Sequence, residues 1–232
     1  MRKILFTLLL LIPCLLARSQ KAELFYDLNF GVPEATGLRT FHAELADQVP
    51  LSNFETTDNF YYYYGYSVGV RVLNRVSLYF NQRVSGAKTS LADYSGYFRL
   101  TNELRGNTYG ARYDFFSREL SKGRIYFSAK GMVTTSALIL KTAVMVNDEA
   151  ETDQAEFKSL DLGIGAGINY EYPFRVLIVR AYVELDLVYG GKIRLKGDTS
   201  DDGYLMNSSG NKVTTGWSGL NAGLGLSLPL AR

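Results

Sequence analysis

The sequence predicts an all-β protein, an eight-stranded antiparallel up-and-down transmembrane β-barrel, on three observations. Segments of strict two-residue alternation recur along the chain, each with one uncharged apolar face. The opposite faces are crowded with glycine, arginine and carboxylates. Short and long connections between the segments alternate. Composition sets the frame: of 232 residues, 47% are hydrophobic and 21% charged, with 22 Gly, 17 Tyr and 13 Phe. That excludes a disordered or fibrous chain. Mean hydropathy is -0.05. Past residue 17 no apolar run approaches the roughly 18–20 residues of a spanning helix, which excludes a helical membrane bundle but not a barrel.

The chain opens with an address. Met1-Arg2-Lys3 is basic, residues 4–16 are apolar apart from Thr7 and Pro13, and Ala17-Arg18-Ser19 places small residues before Gln20. Positive start, short apolar core and small-x-small site are the secretory signal pattern. Residues 1–19 are therefore expected to be cleaved, leaving residues 20–232 as one barrel domain with four long extracellular loops. Cys14, the one cysteine, lies inside the apolar core; Pro13 before it and the greasy run after it argue against an acylated lipoprotein cysteine. Cleavage removes Arg2, Lys3 and Arg18 with no acid, turning the formal net charge of +2 slightly negative. Nothing points to nucleic acid. An exported chain without disulfides must draw its stability from a closed hydrogen-bonded structure.

Eight alternating segments follow. Leu24, Tyr26, Leu28 and Phe30 oppose Phe25, Asp27, Asn29 and Gly31. Tyr62 to Val72 sets even-numbered Tyr and Val against Tyr63, Gly65, Ser67, Gly69 and Arg71. Val76, Leu78 and Phe80 oppose Ser77, Tyr79, Asn81 and Arg83; Tyr109, Ala111, Tyr113 and Phe115 oppose Gly110, Arg112 and Asp114. Ile125, Phe127, Ala129 and Val133 oppose Tyr126, Ser128, Lys130 and Met132. Leu160 to Tyr172 is the clearest segment, with Leu, Ile, Ala and Tyr at even positions against Asp161, Gly163, Gly165, Gly167, Asn169 and Glu171. Val179 to Tyr189 faces Arg180, Tyr182, Glu184 and Asp186, and Leu220 to Leu228 faces Asn221, Gly223, Gly225 and Ser227. Helical periodicity is confined to Thr40–Asp47.

A soluble barrel would turn its polar face to water, where glycine has little use. Inside a small barrel, glycine makes room for Arg and Tyr. The polar faces carry Arg71, Arg83, Arg112, Lys130 and Arg180 with Asp27, Asp114, Asp161, Glu171, Glu184 and Asp186, a nearly balanced set. Lipid outside and a paired polar network inside explain both facts. Connections near residues 74–75, 117–122 and 173–174 are short, while 32–59, 86–102, 142–157 and 191–214 are long. This is the habit of outer-membrane barrels, with short turns and both termini periplasmic. Tyr113, Phe115, Phe127, Tyr170 and Tyr172 form an expected aromatic girdle at the short-turn rim, and Tyr62, Tyr64, Tyr189 and Trp217 one at the other.

The pattern over about residues 21–230 resembles the small eight-stranded outer-membrane barrels of the OmpA/OmpX type in Gram-negative bacteria. Asn221-x-Gly223-x-x-Leu226-x-Leu228 is similar to the C-terminal signal read by the outer-membrane assembly machinery, although this chain ends Leu230-Ala231-Arg232 without a terminal aromatic residue. The resemblance implies outer-membrane lipid, lipopolysaccharide and the assembly machinery as partners, an unidentified extracellular ligand of the loops, and no cofactor.

Candidate chemistry is sparse. His42, the one histidine, lies in the first long connection; a lipid A acyltransferase or deacylase would pair it with a serine or carboxylate, but no deacylase-like His-x-Ser is present. Asp198-x-Ser200-x-Asp202-Gly203 opens like a calcium loop, yet Ser209 stands where the bidentate acid belongs. Tyr61 to Tyr64 could stack a sugar but fit an aromatic girdle without one. The Gly163/Gly165/Gly167 spacing has no helix after it to hold a nucleotide. An eight-stranded lumen is narrow enough for side chains to fill, and mixed charge favours a plug over a one-sign pore. The expectation is a non-enzymatic barrel, a plugged scaffold presenting loops for contact or envelope integrity. A narrow ion or solute channel is the alternative, followed by a lipid A-modifying enzyme and a soluble lipocalin-like carrier.

Overall fold

The alternation closes into a ring. The computed structural model describes residues 22–48, 55–72, 75–93, 96–146, 149–198, 200 and 203–230; the expected signal peptide lies outside them. In chain order the elements are β1 (Glu23–Pro33), α1 (Thr36–Asp47), β2 (Glu55–Val72), β3 (Val76–Asp93), β4 (Gly96–Leu120) and β5 (Gly123–Val146). Then come β6 (Glu149–Phe174), β7 (Leu177–Gly190), the two-residue β8 (Arg194–Leu195) and β9 (Gly219–Pro229). Each barrel strand pairs antiparallel with its neighbours, and β9 closes on β1 from Glu23 opposite Pro229 to Pro33 opposite Gly219. Closure leaves no free edge at the level of these pairs, the condition for crossing a bilayer with strands. The first and last described residues, Ala22 and Leu230, are hydrogen-bonded at the rim where β2 meets β3, β4 meets β5 and β6 meets β7.

The wall is inverted relative to a soluble barrel. Outward Leu28, Leu162 and Leu224 are 58%, 61% and 67% exposed, while inward Asp27, Arg71, Arg83 and Asp186 are buried. Turned toward water, such a belt would be an apolar patch far larger than soluble proteins carry.

Four strands run much farther than the alternation suggested, which corrects the expected loops. The β3–β4 ladder continues unbroken to Asp93 opposite Gly96, and the β5–β6 ladder to Val146 opposite Glu149, so most of 86–102 and 142–157 is strand. The reason is an inversion of the pattern. Above the belt the outward positions become Lys88, Thr101, Arg105 and Lys141, and the inward ones become Ala87, Leu100, Leu104 and Leu138. The two-residue period persists while its apolar face switches sides, so a reading keyed to apolar-outward strands stops where the switch occurs. Phe98 to Arg105 pairs without a bulge on both sides, and β4 slips only at Asp114/Phe116.

The described parts of the other two long connections fold inward. Helix α1 begins at Thr36, four residues before the sequence suggested, and buries Leu38, Phe41 and His42. Residues 191–218 lie across it, held by bridges between Lys192 and Thr214, Arg194 and Tyr204, and Met206 and Lys212. Leu38, Phe41, Phe60, Ile193, Val213 and Trp217 pack there with Leu104 and Leu138 of the wall. Irregular pairing of β2 with β3 between Asn59 and Tyr63, with Phe60 at φ 52, aims the Phe60 ring into this cluster. The mouth is thereby closed by an apolar core of the ordinary soluble kind.

Candidate functional site

All eleven charged residues expected in the lumen are buried there, and ten of them join one ion-pair network. At the short-turn rim Arg71 is the hub. It donates to Glu23 at 2.8 Å, to Glu171 at 2.5 Å and to the Tyr126 hydroxyl at 2.8 Å, with Asp114 3.5 Å from its Nε. Glu171 also accepts from Arg124 at 2.6 Å and lies 3.6 Å from Arg180.

One layer up, Phe25 sits between two guanidiniums, Arg180 at 4.4 Å and Arg112 at 5.4 Å from its ring centre. Arg180 faces Asp27 at 3.5 Å, and Arg112 reaches Asp114 at 3.7 Å and Glu184 at 3.8 Å. Higher still, Lys130 bridges Glu184 at 2.6 Å and Asp186 at 2.8 Å, and Arg83 donates to Asp186 at 3.1 Å. Arg83 also lies over the rings of Tyr63 and Trp217, joining the ionic column to the mouth.

Asp161 is the exception. Among the described residues it has no cation within ion-pair distance, and it accepts from three hydroxyls, Thr215 at 2.8 Å, Ser136 at 3.1 Å and Ser159 at 3.2 Å. It thus pins the inward-folded 191–218 segment to β6 and, through Ser136, to the wall of β5.

Inward glycines give these groups their room. A Cβ on Gly223 would stand 2.3 Å from the Tyr182 ring and one on Gly110 2.4 Å from the Tyr79 ring, well inside contact distance. A cavity of about 20 Å³ remains at mid-lumen, lined by Phe25, Asp27, Tyr79, Arg112, Lys130 and Glu184 among others. That is room for about one water molecule.

Of the expected girdle, Tyr62, Tyr64, Tyr113, Phe115, Phe127, Tyr170, Tyr172 and Tyr189 lie on the outer surface. Trp217 does not, which corrects its assignment. It is 1% exposed, donates its indole N–H to Ser136 Oγ at 2.9 Å and meets Tyr63 edge-on at 5.7 Å. Its partners explain the position: a buried indole needs an acceptor, and Gly106 leaves the space, its absent Cβ falling 2.9 Å from the ring.

Sequence reading missed Glu23 and Arg124, which fall one residue before the segments it recognised; it placed Phe25, Tyr63, Tyr79, Tyr126 and Tyr182 on the inward faces without joining them to the network. Their place on the glycine-rich faces was the available signal.

His42 is buried on α1 rather than lying in a loop. Its Nε2 is 2.9 Å from Thr89 Oγ1 and its Nδ1 2.8 Å from Asn102 Nδ2, so both ring nitrogens are engaged by the wall. Burial without a neighbouring carboxylate lowers its pKa from 6.5 to about 4. Asp198 accepts from the Ser200 backbone and hydroxyl, both at 2.7 Å, a local turn; Asp202 lies outside the described residues. Among the described residues no group of three or more His, Cys, Asp or Glu could hold a metal ion.

Wall and lumen together define a class: an eight-stranded antiparallel β-barrel with an apolar exterior and a charge-paired, side-chain-filled interior. No protein-family model and no curated protein matches the chain. Among solved structures, Neisserial surface protein A is similar at 13% identity and a TM-score of 0.31, over 89% of this chain and 96% of that one. The outer membrane protease OmpT from Escherichia coli is similar at 9% identity and a TM-score of 0.26, over 92% and 98%. Likeness this slight does not bear on activity, and the description of the fold rests on the strand pairing itself.

Proposed function

We propose that this chain is a non-enzymatic integral outer-membrane barrel of the small OmpA/OmpX kind. In this reading it is a plugged scaffold whose long outer wall and packed mouth serve surface contact or envelope integrity. Its short-turn rim and both termini face the periplasm, and β9 is the segment offered to the assembly machinery. The observation that carries the proposal is the lumen. From Arg71 to Arg83 every cation has a carboxylate partner within 4.0 Å, and above them the mouth is filled by Trp217, Leu38 and Ile193. A conducting path would need to break several of these pairs at once, each buried and each costly to strip of its partner. The engaged, buried ring of His42 favours a structural role over an acid–base one.

The test is single-channel recording of the refolded mature chain (residues 20–232) in a planar bilayer, beside an Arg112→Ala variant. Heat-modifiable gel migration establishes folding of each. No discrete conductance from either protein is the expected result. Steady openings whose size or selectivity shifts with Arg112→Ala would overturn the plug and make the lumen charges a pore lining.

A further inference from the structure

We propose that a groove on the outer wall, beside the irregular stretch of β2, binds a neutral oligosaccharide from the surrounding medium, with Tyr62 as its stacking platform. The inference rests on the surface-contact reading above and gives that contact a ligand class.

The groove is built by a break in the wall. Between Asn59 and Tyr63 the β2–β3 register slips, so that Phe60, Tyr61 and Tyr62 face the single residue Gly86. Phe60 takes a left-handed backbone, φ 52, which a bulky residue adopts only where its surroundings enforce it. Tyr61 and Tyr62 are left outward, 57% and 43% exposed, beside Tyr64 at 61%. The kink is held from both sides. Arg39 of α1 donates to the carbonyls of Pro33 at 2.9 Å and Phe60 at 3.3 Å, and lies over the Tyr61 ring. Ser85 Oγ donates to the Tyr62 carbonyl at 2.7 Å, and Phe30 of β1 stacks on the Tyr62 ring at 5.7 Å. Tyr62 is thus a fixed ring, and it lines the groove.

The groove encloses about 310 Å³, at the lower end of ligand-sized clefts. Gly86 forms its floor, alternating outward between the buried Ser85 and Ala87. A Cβ there would stand 3.0 Å from the Asn102 carbonyl oxygen, and among the described residues no side chain lies within 4 Å of it. Unlike the lumen glycines, Gly86 makes room for no neighbouring side chain; a strand glycine of this kind marks close approach from outside. Asp58, Lys88, Thr101 and Glu103 stand around it. Asp58 lies opposite Lys88 in the ladder, and its Oδ1 is buried without a hydrogen-bond partner. This mixture of donors and acceptors complements sugar hydroxyls, which both donate and accept, while the tyrosine rings offer apolar faces to the C–H side of a pyranose. Along β3 the Phe80 ring lies six residues, about 20 Å of strand, below Gly86. The groove therefore opens where the wall has turned from apolar to polar. Its two carboxylates, Glu103 held by Arg105, outnumber its one ammonium and disfavour a phosphorylated headgroup of the leaflet. The sign of the charge and the polar surroundings identify the occupant as an uncharged saccharide from solution.

The test is saturation-transfer NMR of the folded mature chain in micelles of a detergent without a sugar headgroup. The probes are lactose, cellobiose and trehalose, with trehalose 6-phosphate as the anionic counterpart. Binding of at least one neutral disaccharide is expected, weakened about tenfold by Tyr62→Ala and by Asp58→Ala and largely kept by Tyr62→Phe. Tyr172→Ala, at the opposite rim, should change nothing. Heat-modifiable gel migration reports folding of each variant. Micelles expose the groove whichever way the barrel is oriented in a cell, so a failure here is distinguishable from a failure of the membrane reading. Saturation of none of the three neutral sugars, undiminished binding in Tyr62→Ala, equal loss in Tyr172→Ala, or tighter binding of trehalose 6-phosphate than of trehalose would overturn the assignment. If Tyr62→Ala does not fold, Asp58→Ala and Thr101→Val decide the question by the same criteria.

Discussion

At the scale of single residues the lumen is held by hubs. Arg71 serves Glu23, Glu171, Tyr126 and Asp114 at once, and removing it strands carboxylates that are themselves buried. An Arg71→Ala substitution is expected to cost about 3–5 kcal/mol, the usual result of breaking one side of a buried pair. Urea unfolding in lipid vesicles measures it. Arg71→Met with Glu171→Leu should lose less than the two single variants added together, because their mutual attraction is counted in both single losses; strict additivity would contradict the hub. The eleven lumen charges were legible in the sequence because each falls on the polar face of a strict alternation. Their pairing was not, since which Arg meets which acid depends on strand register and barrel closure. Arg71 and Glu171 are a hundred positions apart and meet only across the lumen.

Elements carry the next lesson. The strands were visible wherever an apolar face pointed outward, and invisible where the same period continued with the apolar face turned in. Leu100 fell in an expected loop, and Leu104 and Leu138 outside the recognised strands, because their polar neighbours Thr101, Arg105 and Lys141 offered no lipid-facing pattern. Helix α1 and the segment after β7, whose Leu38, Phe41, Ile193, Val213 and Trp217 pack with Leu104 and Leu138, give the inversion a purpose. The docking of α1 is expected to depend on pH. His42 ordinarily titrates near 6.5, and burial on α1 lowers that to about 4. The folded mouth therefore binds fewer protons than the open one between these values. Stability is complete above about pH 6.5, falls as the pH drops toward 4 and levels off below, by at most about 3 kcal/mol. Hydrogen exchange of the α1 amides should accelerate relative to the barrel strands from pH 7 to pH 4. In a His42→Gln variant that pH dependence should vanish, and its persistence would assign it to another group.

On the scale of the whole molecule two solvents are served by one continuous sheet. In the proposed reading, apolar side chains below face lipid around an ionic column, and polar side chains above face water around an apolar plug. Trp217 lies near the junction of the two regimes, on the inside, and it is the chain's one tryptophan. It therefore reports which face of the wall meets lipid. In vesicles of brominated-chain lipid, the account predicts that Trp217 fluorescence is neither quenched by bromine nor reached by aqueous acrylamide. A Trp217→Phe, Leu162→Trp variant, with the indole on the outer belt, should be quenched strongly by bromine. Quenching of Trp217 together with a protected Leu162→Trp would mean that the wall is turned the other way, and would contradict the inverted barrel on which the rest depends.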